Sequence, residues 1–197
     1  MFREVENLSL NETVKRIISL NKNISKFWSN SYGWAPIEAA ELLSKSRLDW
    51  QVSLSYTLNN WIENISKDEV AGNLILAWTN LGSLIEGTIK LALSVYYNDY
   101  LNSEDKIYKK DKVQEPDTFK LETLRQFCLG KLWERETKWD SWILHIQQRR
   151  NAVHAFKNRE IGTFEEFYKD LSMYLEFLRY INKRLPYPDD IYIPCEE

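Results

Sequence analysis

The chain has 197 residues, enough for one domain with a sizeable core, and its 44% apolar and 28% charged content is that of a globular protein. Only six glycines and five prolines, with few hairpin signals, argue against an all-β fold. A net charge of −3 excludes the general attraction of a dedicated nucleic-acid binder, so any RNA contact must use a local basic patch.

Apolar residues recur at helical spacing throughout. From Asn11 to Trp28, the residues Val14, Ile17, Ile18 and Ile24 share one side, with Asn11 as the expected N-cap. Tyr32-Gly33-Trp34-Ala35-Pro36 interrupts the chain, and Pro36 suits the first turn of a helix carrying Ile37, Ala40 and Leu43. Leu48, Val52, Ser55, Leu58 and Ile62 continue the pattern to about Glu63. Ser66-Lys67-Asp68-Glu69 has the form of a capping box and opens the longest pattern, to about Tyr100. Its stripe is Val70, Leu74, Ala77, Leu81, Ile85, Ile89 and Ala92, widened by Trp78, Leu84 and Leu93.

Residues 102–117 are polar, lack a stripe and read as an exposed loop containing Lys106, Lys109, Lys110 and Lys112, a run best taken as solvated. A short helix follows from Thr118 to Leu132. Another covers Glu134 to about Phe156, with Trp139, Ile143, Ile146, Arg150 and Val153 as its core seam. Thr163-Phe164-Glu165-Glu166 is a second capping box, and Phe164, Phe167, Leu171, Tyr174, Leu175, Leu178 and Ile181 face inward until Pro186 and Pro188 stop the helix. The fold class is therefore all-α: an up-and-down bundle of about five to six helices around one long central helix. Residues 1–65 form an N-terminal helical segment packed on a core of residues 66–185, and 186–197 form a tail.

Cys128 and Cys195 lie far apart without metal-ligand spacing; neither a disulfide framework nor a zinc site is suggested, and no metal or cofactor is expected. There is no secretory signal and no membrane-spanning run, so a cytoplasmic protein without membrane contact is expected. Glu-x-x-His pairs, glycine-rich phosphate loops and GxSxG are missing, which disfavours di-metal, nucleotide-loop and serine-nucleophile chemistry. Most of the tryptophans should be core rings or interface anchors.

Packing does not explain Gln148-Arg149-Arg150-Asn151-Ala152-Val153-His154-Ala155, which concentrates two guanidinium groups, an amide and an imidazole. Arg150 and His154 share a face of an unbroken helix, as do Asn151 and His154. Arg149 and His154 lie about 140° apart and converge only if the backbone turns near the histidine. An imidazole exchanges protons near neutral pH, and arginine grips phosphate and stabilises developing charge. These groups suffice for metal-free RNA cleavage by an adjacent 2′-hydroxyl; one histidine per chain would make a symmetric dimer the natural source of a second. The plainer alternative is that this helix end satisfies its own carbonyls or pairs with Glu160 and Glu166.

The stretch Arg149-Arg150-Asn151-Ala152-Val153-His154 resembles the Arg-x4-His signature of the HEPN superfamily, small all-helical domains of which many are dimeric, metal-independent endoribonucleases in toxin–antitoxin, phage-defence and RNA-processing systems. The long pattern with Leu81-Gly82-Ser83-Leu84-Ile85-Glu86-Gly87 is similar to the helix that precedes the motif in such proteins. The resemblance covers about 66–185 in architecture and six residues in motif. It implies catalytic roles for His154 in proton transfer, for Arg149 at the phosphate, and for Asn151. It also implies substrate contacts from Arg150, Lys157 and Arg159, a homodimer, an RNA substrate, and an antitoxin or regulatory protein as a further partner. The common pattern has a polar residue, often Asn, directly after the signature Arg; here Arg150 holds that place and Asn151 follows it. Either arginine can then be the working cation. The alternative within the resemblance is a non-catalytic helical interaction module. Glu86, interrupting an apolar helix, is the candidate anchor for one arginine, its alternative being a solvent-facing carboxylate; His145 reads as structural or surface.

Overall fold

Ser9, not Asn11, caps the first helix: its hydroxyl accepts from the Glu12 N–H at 3.3 Å, and α1 runs Leu10–Trp28. The computed structural model describes residues 8–63, 67–154 and 156–196. The first expected capping box, at Ser66, begins outside the described residues. Helix α2 (Ile37–Lys45) buries Ala39, Ala40, Leu42 and Leu43, whereas Ile37 in its first turn is 69% exposed. Helix α3 (Leu48–Tyr56) tightens into a 3-10 turn over Thr57–Trp61.

Helix α4 (Val70–Val95) spans about 39 Å at 1.5 Å per residue. Leu74, Ala77, Leu81, Ile85, Ile89 and Ala92 are buried along it, but Val70 at its open N-terminal end is exposed. The expected run to Tyr100 breaks at Tyr96, where φ −91° and ψ 29° leave the helical region and α5 (Tyr97–Asn102) starts afresh. The expected loop beyond it holds a small hairpin, β1 (Tyr108–Lys109) against β2 (Lys112–Val113), turned by Lys110 and Asp111 in the left-handed region. Tyr100 anchors its base: the phenol accepts from Ile107 N–H at 3.0 Å and donates to the Gln114 carbonyl at 2.8 Å.

Three helices complete the all-α bundle: α6 (Leu121–Cys128), α7 (Trp139–Arg150) and α8 (Phe164–Arg184). The Thr163–Glu166 capping box is present in both directions at the start of α8. Eight α-helices occur among the described residues, more than the five or six expected, partly because of the break at Tyr96. Helix α4 packs against α7, α8 and α2, and α1 lies on α8 and α3. One apolar cluster runs from Val14 through Trp78 and Ile143 to Leu185, so the N-terminal helix shares the core of the rest. Trp28, Trp78 and Trp133 are fully buried, while Trp34 and Trp50 are exposed. Among the described residues, no helix is long and apolar enough to cross a membrane.

The core also contains a polar centre. The Tyr174 hydroxyl is 3.1 Å from Thr88 Oγ1 and accepts from the amides of Asn21 and Gln51, each at 3.5 Å. Burial pushes the phenol pKa up to about 12, against its ordinary 10.0. The folded state thus holds this proton more tightly, a stabilisation that is whole below pH 10 and is lost as pH rises towards 12. The stability advantage of the native chain over Tyr174→Phe should be about 1 kcal/mol at pH 8 and vanish across that alkaline window in denaturant melts. A difference that stays constant to pH 12 would contradict this account.

Candidate functional site

Helix α7 stops being α-helical at Arg150. Asn151–Val153 tighten to a 3-10 turn, and His154 leaves the helix at φ −84°, ψ 74°. The backbone therefore turns just before the histidine. Val153, expected in the core seam, is carried outward and is exposed; the seam ends one turn earlier because the helix does. His154 itself is exposed.

The two adjacent arginines leave α7 in different directions. Arg149 is buried, with Nη2 donating to Glu166 Oε2 at 3.2 Å and, more weakly, to Glu160 Oε1 at 3.5 Å. The same Glu166 oxygen accepts from the Thr163 N–H at 3.1 Å, so one carboxylate both caps α8 and holds Arg149. Gly162 makes this approach possible. Its φ of +68° is left-handed, and a Cβ there would come within 1.9 Å of Glu166 Oε2 and 3.0 Å of the Arg149 guanidinium carbon.

Arg150 instead crosses to α4, where Nη1 donates to Glu86 Oε2 at 2.5 Å; Glu86 Oε1 accepts from Lys90 at 2.8 Å. Gly82 leaves room for the arginine stem, since a Cβ there would stand 2.6 Å from Arg150 Cδ. Burial works to raise the Glu86 carboxyl, but the hydrogen bonds from Lys90 and Arg150 outweigh it and hold the group below its usual 4.5. Asn151 is half-buried in the 3-10 turn, Lys157 is exposed in the following loop, and Arg159 is half-buried there.

A groove of about 390 Å³ lies along this face, lined by His145, Gln148, Arg149, Arg159 and Glu160. Its imidazole is that of His145, not His154. Asp170 of α8 holds it, with His145 Nε2 3.0 Å from Asp170 Oδ2, while Asp170 Oδ1 accepts from Trp142 Nε1 at 2.8 Å. Trp78 meets the imidazole edge-on at 5.9 Å between ring centres. The sequence contained a signal for this face, because residues 145, 148 and 149 stand at i, i+3 and i+4. No local pattern reports the approach of Asp170, which depends on how α8 packs.

No protein-family model, curated protein or solved structure matches the chain. The chemistry open to the site must be read from its geometry. An exposed imidazole beside Lys157 can exchange protons with a solvent-borne substrate, and the groove can hold an anion between two guanidinium groups. Burial raises the Cys128 thiol far above its ordinary range, which removes it as a nucleophile. Among the described residues, no group of three or more His, Cys, Asp or Glu side chains is arranged to hold a metal ion.

Proposed function

We propose that the chain is a metal-independent endoribonuclease of HEPN type, working as a homodimer in a defence, toxin or stress-response setting. The observation that carries this reading is the exposed His154, on the turn that ends a basic helix and next to a loop bearing Lys157 and Arg159. In the reaction, a ribose 2′-oxygen attacks the neighbouring phosphorus and gives its proton to one imidazole. The departing 5′-oxygen takes a proton from the second imidazole, supplied by the twofold mate. Lys157 and Arg159 meet the phosphate, while Arg149 and Arg150 hold the turn in place through their carboxylate partners. Cellular RNA incubated with the protein in EDTA should acquire 2′,3′-cyclic phosphate ends, and His154→Ala should slow this by about 10²- to 10⁴-fold. Folded protein that leaves diverse RNAs intact would overturn the proposal.

A second reading, a non-catalytic HEPN-like interaction or regulatory module, is favoured by a different observation. Both motif arginines already have carboxylate partners, Arg149 in Glu160 and Glu166 and Arg150 in Glu86. Neither is then needed at a phosphate. On this reading His154→Ala leaves the protein's cellular activity intact, and the same variant separates the two.

A further inference from the structure

We infer that the groove between α7 and the loop before α8 is a binding site for a phosphate group, in which Glu160 serves as a resident carboxylate that the phosphate displaces. The site uses His145, Gln148, Arg149 and Arg159; it shares Arg159 with the proposed RNA contact but does not involve His154.

Three observations converge on it. Arg149 is more than nine-tenths buried and lines the groove, yet its Nε has no hydrogen-bond partner among the described residues, and the same holds for Arg159 Nε. Both Nε atoms are closed off from solvent, so a groove-borne oxyanion would be held by the rest of the two guanidinium groups that line the groove, of which Arg159 has no carboxylate partner among the described residues. Second, the carboxylates on Arg149 differ in how firmly they are held. Glu166 is tied into the α8 cap by its bond from Thr163, whereas the Glu160 side chain is 85% exposed and touches Arg149 only at 3.5 Å. An exposed pair of that length is weak and easily exchanged for a stronger, doubly charged acceptor. Third, the walls are rigid. Asp170 and the Trp78 ring fix His145, and Asp170 is itself held by the Trp142 indole, so the groove keeps its shape without ligand. Gln148, one turn from His145 on the same helix face, adds an amide donor at the rim.

The charges define what fits. Arg149 and Arg159 face Glu160 within the groove, with Glu166 behind Arg149 and Asp170 behind His145. Replacing one carboxylate by a phosphate dianion adds acceptors where donors are unmatched. A neutral or cationic ligand would gain nothing from the two guanidinium groups. The phosphate can be free or the end of an RNA strand; both present the same terminal oxygens.

Calorimetric titration with inorganic phosphate at constant ionic strength tests the site. The native chain should bind, Glu160→Gln should bind up to about fivefold more tightly because the resident competitor is gone, and Arg159→Gln should bind about tenfold more weakly. His154→Ala should bind as the native chain does, so loss of RNA cleavage and loss of phosphate binding are separable outcomes. A Glu160→Gln protein no tighter than the native chain, or an Arg159→Gln protein that binds equally well, would overturn the inference. In a second arm, RNA oligonucleotides with a 3′-phosphate are compared with their 3′-hydroxyl counterparts. Preference for the phosphorylated end, lost in Arg159→Gln, assigns the site to an RNA terminus; equal binding of the two, alongside binding of inorganic phosphate, assigns it to the free ion.

Discussion

Replacing Trp78 with alanine should cost about 3–5 kcal/mol of stability in urea melts and should also loosen the groove. Trp78 is fully buried on α4 and packs edge-to-face on Phe167 of α8 at 5.1 Å. Its other edge contact is His145, so one ring joins the central helix, the capped helix and the wall of the candidate site. The indole also donates to the Ile161 carbonyl at 2.8 Å, which pins the loop that carries Arg159 and Glu160. Trp78→Phe separates these roles. It keeps most of the apolar contact but leaves the Ile161 carbonyl without its donor, a loss of about 1–3 kcal/mol. Amide exchange over residues 160–162 should quicken in both variants. A phenylalanine variant as stable as the native chain, with unchanged exchange there, would show that the loop is held by something else.

Much of this architecture is written in the spacing of apolar residues. The long helices α1, α4 and α8 follow their stripes because each buries a wide apolar face, and the Thr163–Glu166 cap is local chemistry that needs no knowledge of the rest of the fold. The breaks are harder to see. Tyr96 interrupts α4 without a proline or glycine, and the turn at Lys110 and Asp111 lacks glycine and the alternating strands that mark a hairpin.

The candidate site was legible in its residue types and less so in its partners. Adjacent residues on a helix point about 100° apart, so Arg149 and Arg150 had to reach different neighbours. Periodicity gives that angle, but not that one arginine meets the cap of α8 while the other crosses Gly82 to Glu86. His145 reads as structural or surface from its own helix, since its partner, Asp170, is 25 residues away on another helix. Long-range packing decides such pairs, and nothing local in the chain reports it.

The C-terminal tail makes the same point and carries the second large effect. Proline at 186 and 188 ends α8, yet the tail does not drift into solvent: Asn182 donates to the Pro194 carbonyl at 2.9 Å and Asn23 to that of Cys195 at 2.8 Å. These bonds deliver Glu196, whose side chain is only 2% exposed, between two arginines of the bundle. Its carboxylate accepts from Arg16 Nη1 of α1 at 3.0 Å and from Arg179 Nη2 of α8 at 2.7 Å, with a further contact to Arg179 Nε. Glu196→Ala would remove the carboxylate that Arg16 and Arg179 share across the α1–α8 seam, a loss of about 3 kcal/mol, at the lower end for a broken buried pair because Arg16 keeps Glu12 Oε1 at 2.9 Å and some access to water. Glu196→Gln retains the shape and an acceptor oxygen but not the charge, and should lose about half as much. Urea melts at neutral pH measure both, and raising the salt should narrow the difference only slightly, since a buried pair is poorly screened. Two variants within about 0.5 kcal/mol of the native chain would mean that α1 and α8 are joined by their apolar faces alone, with the tail laid over a seam already closed.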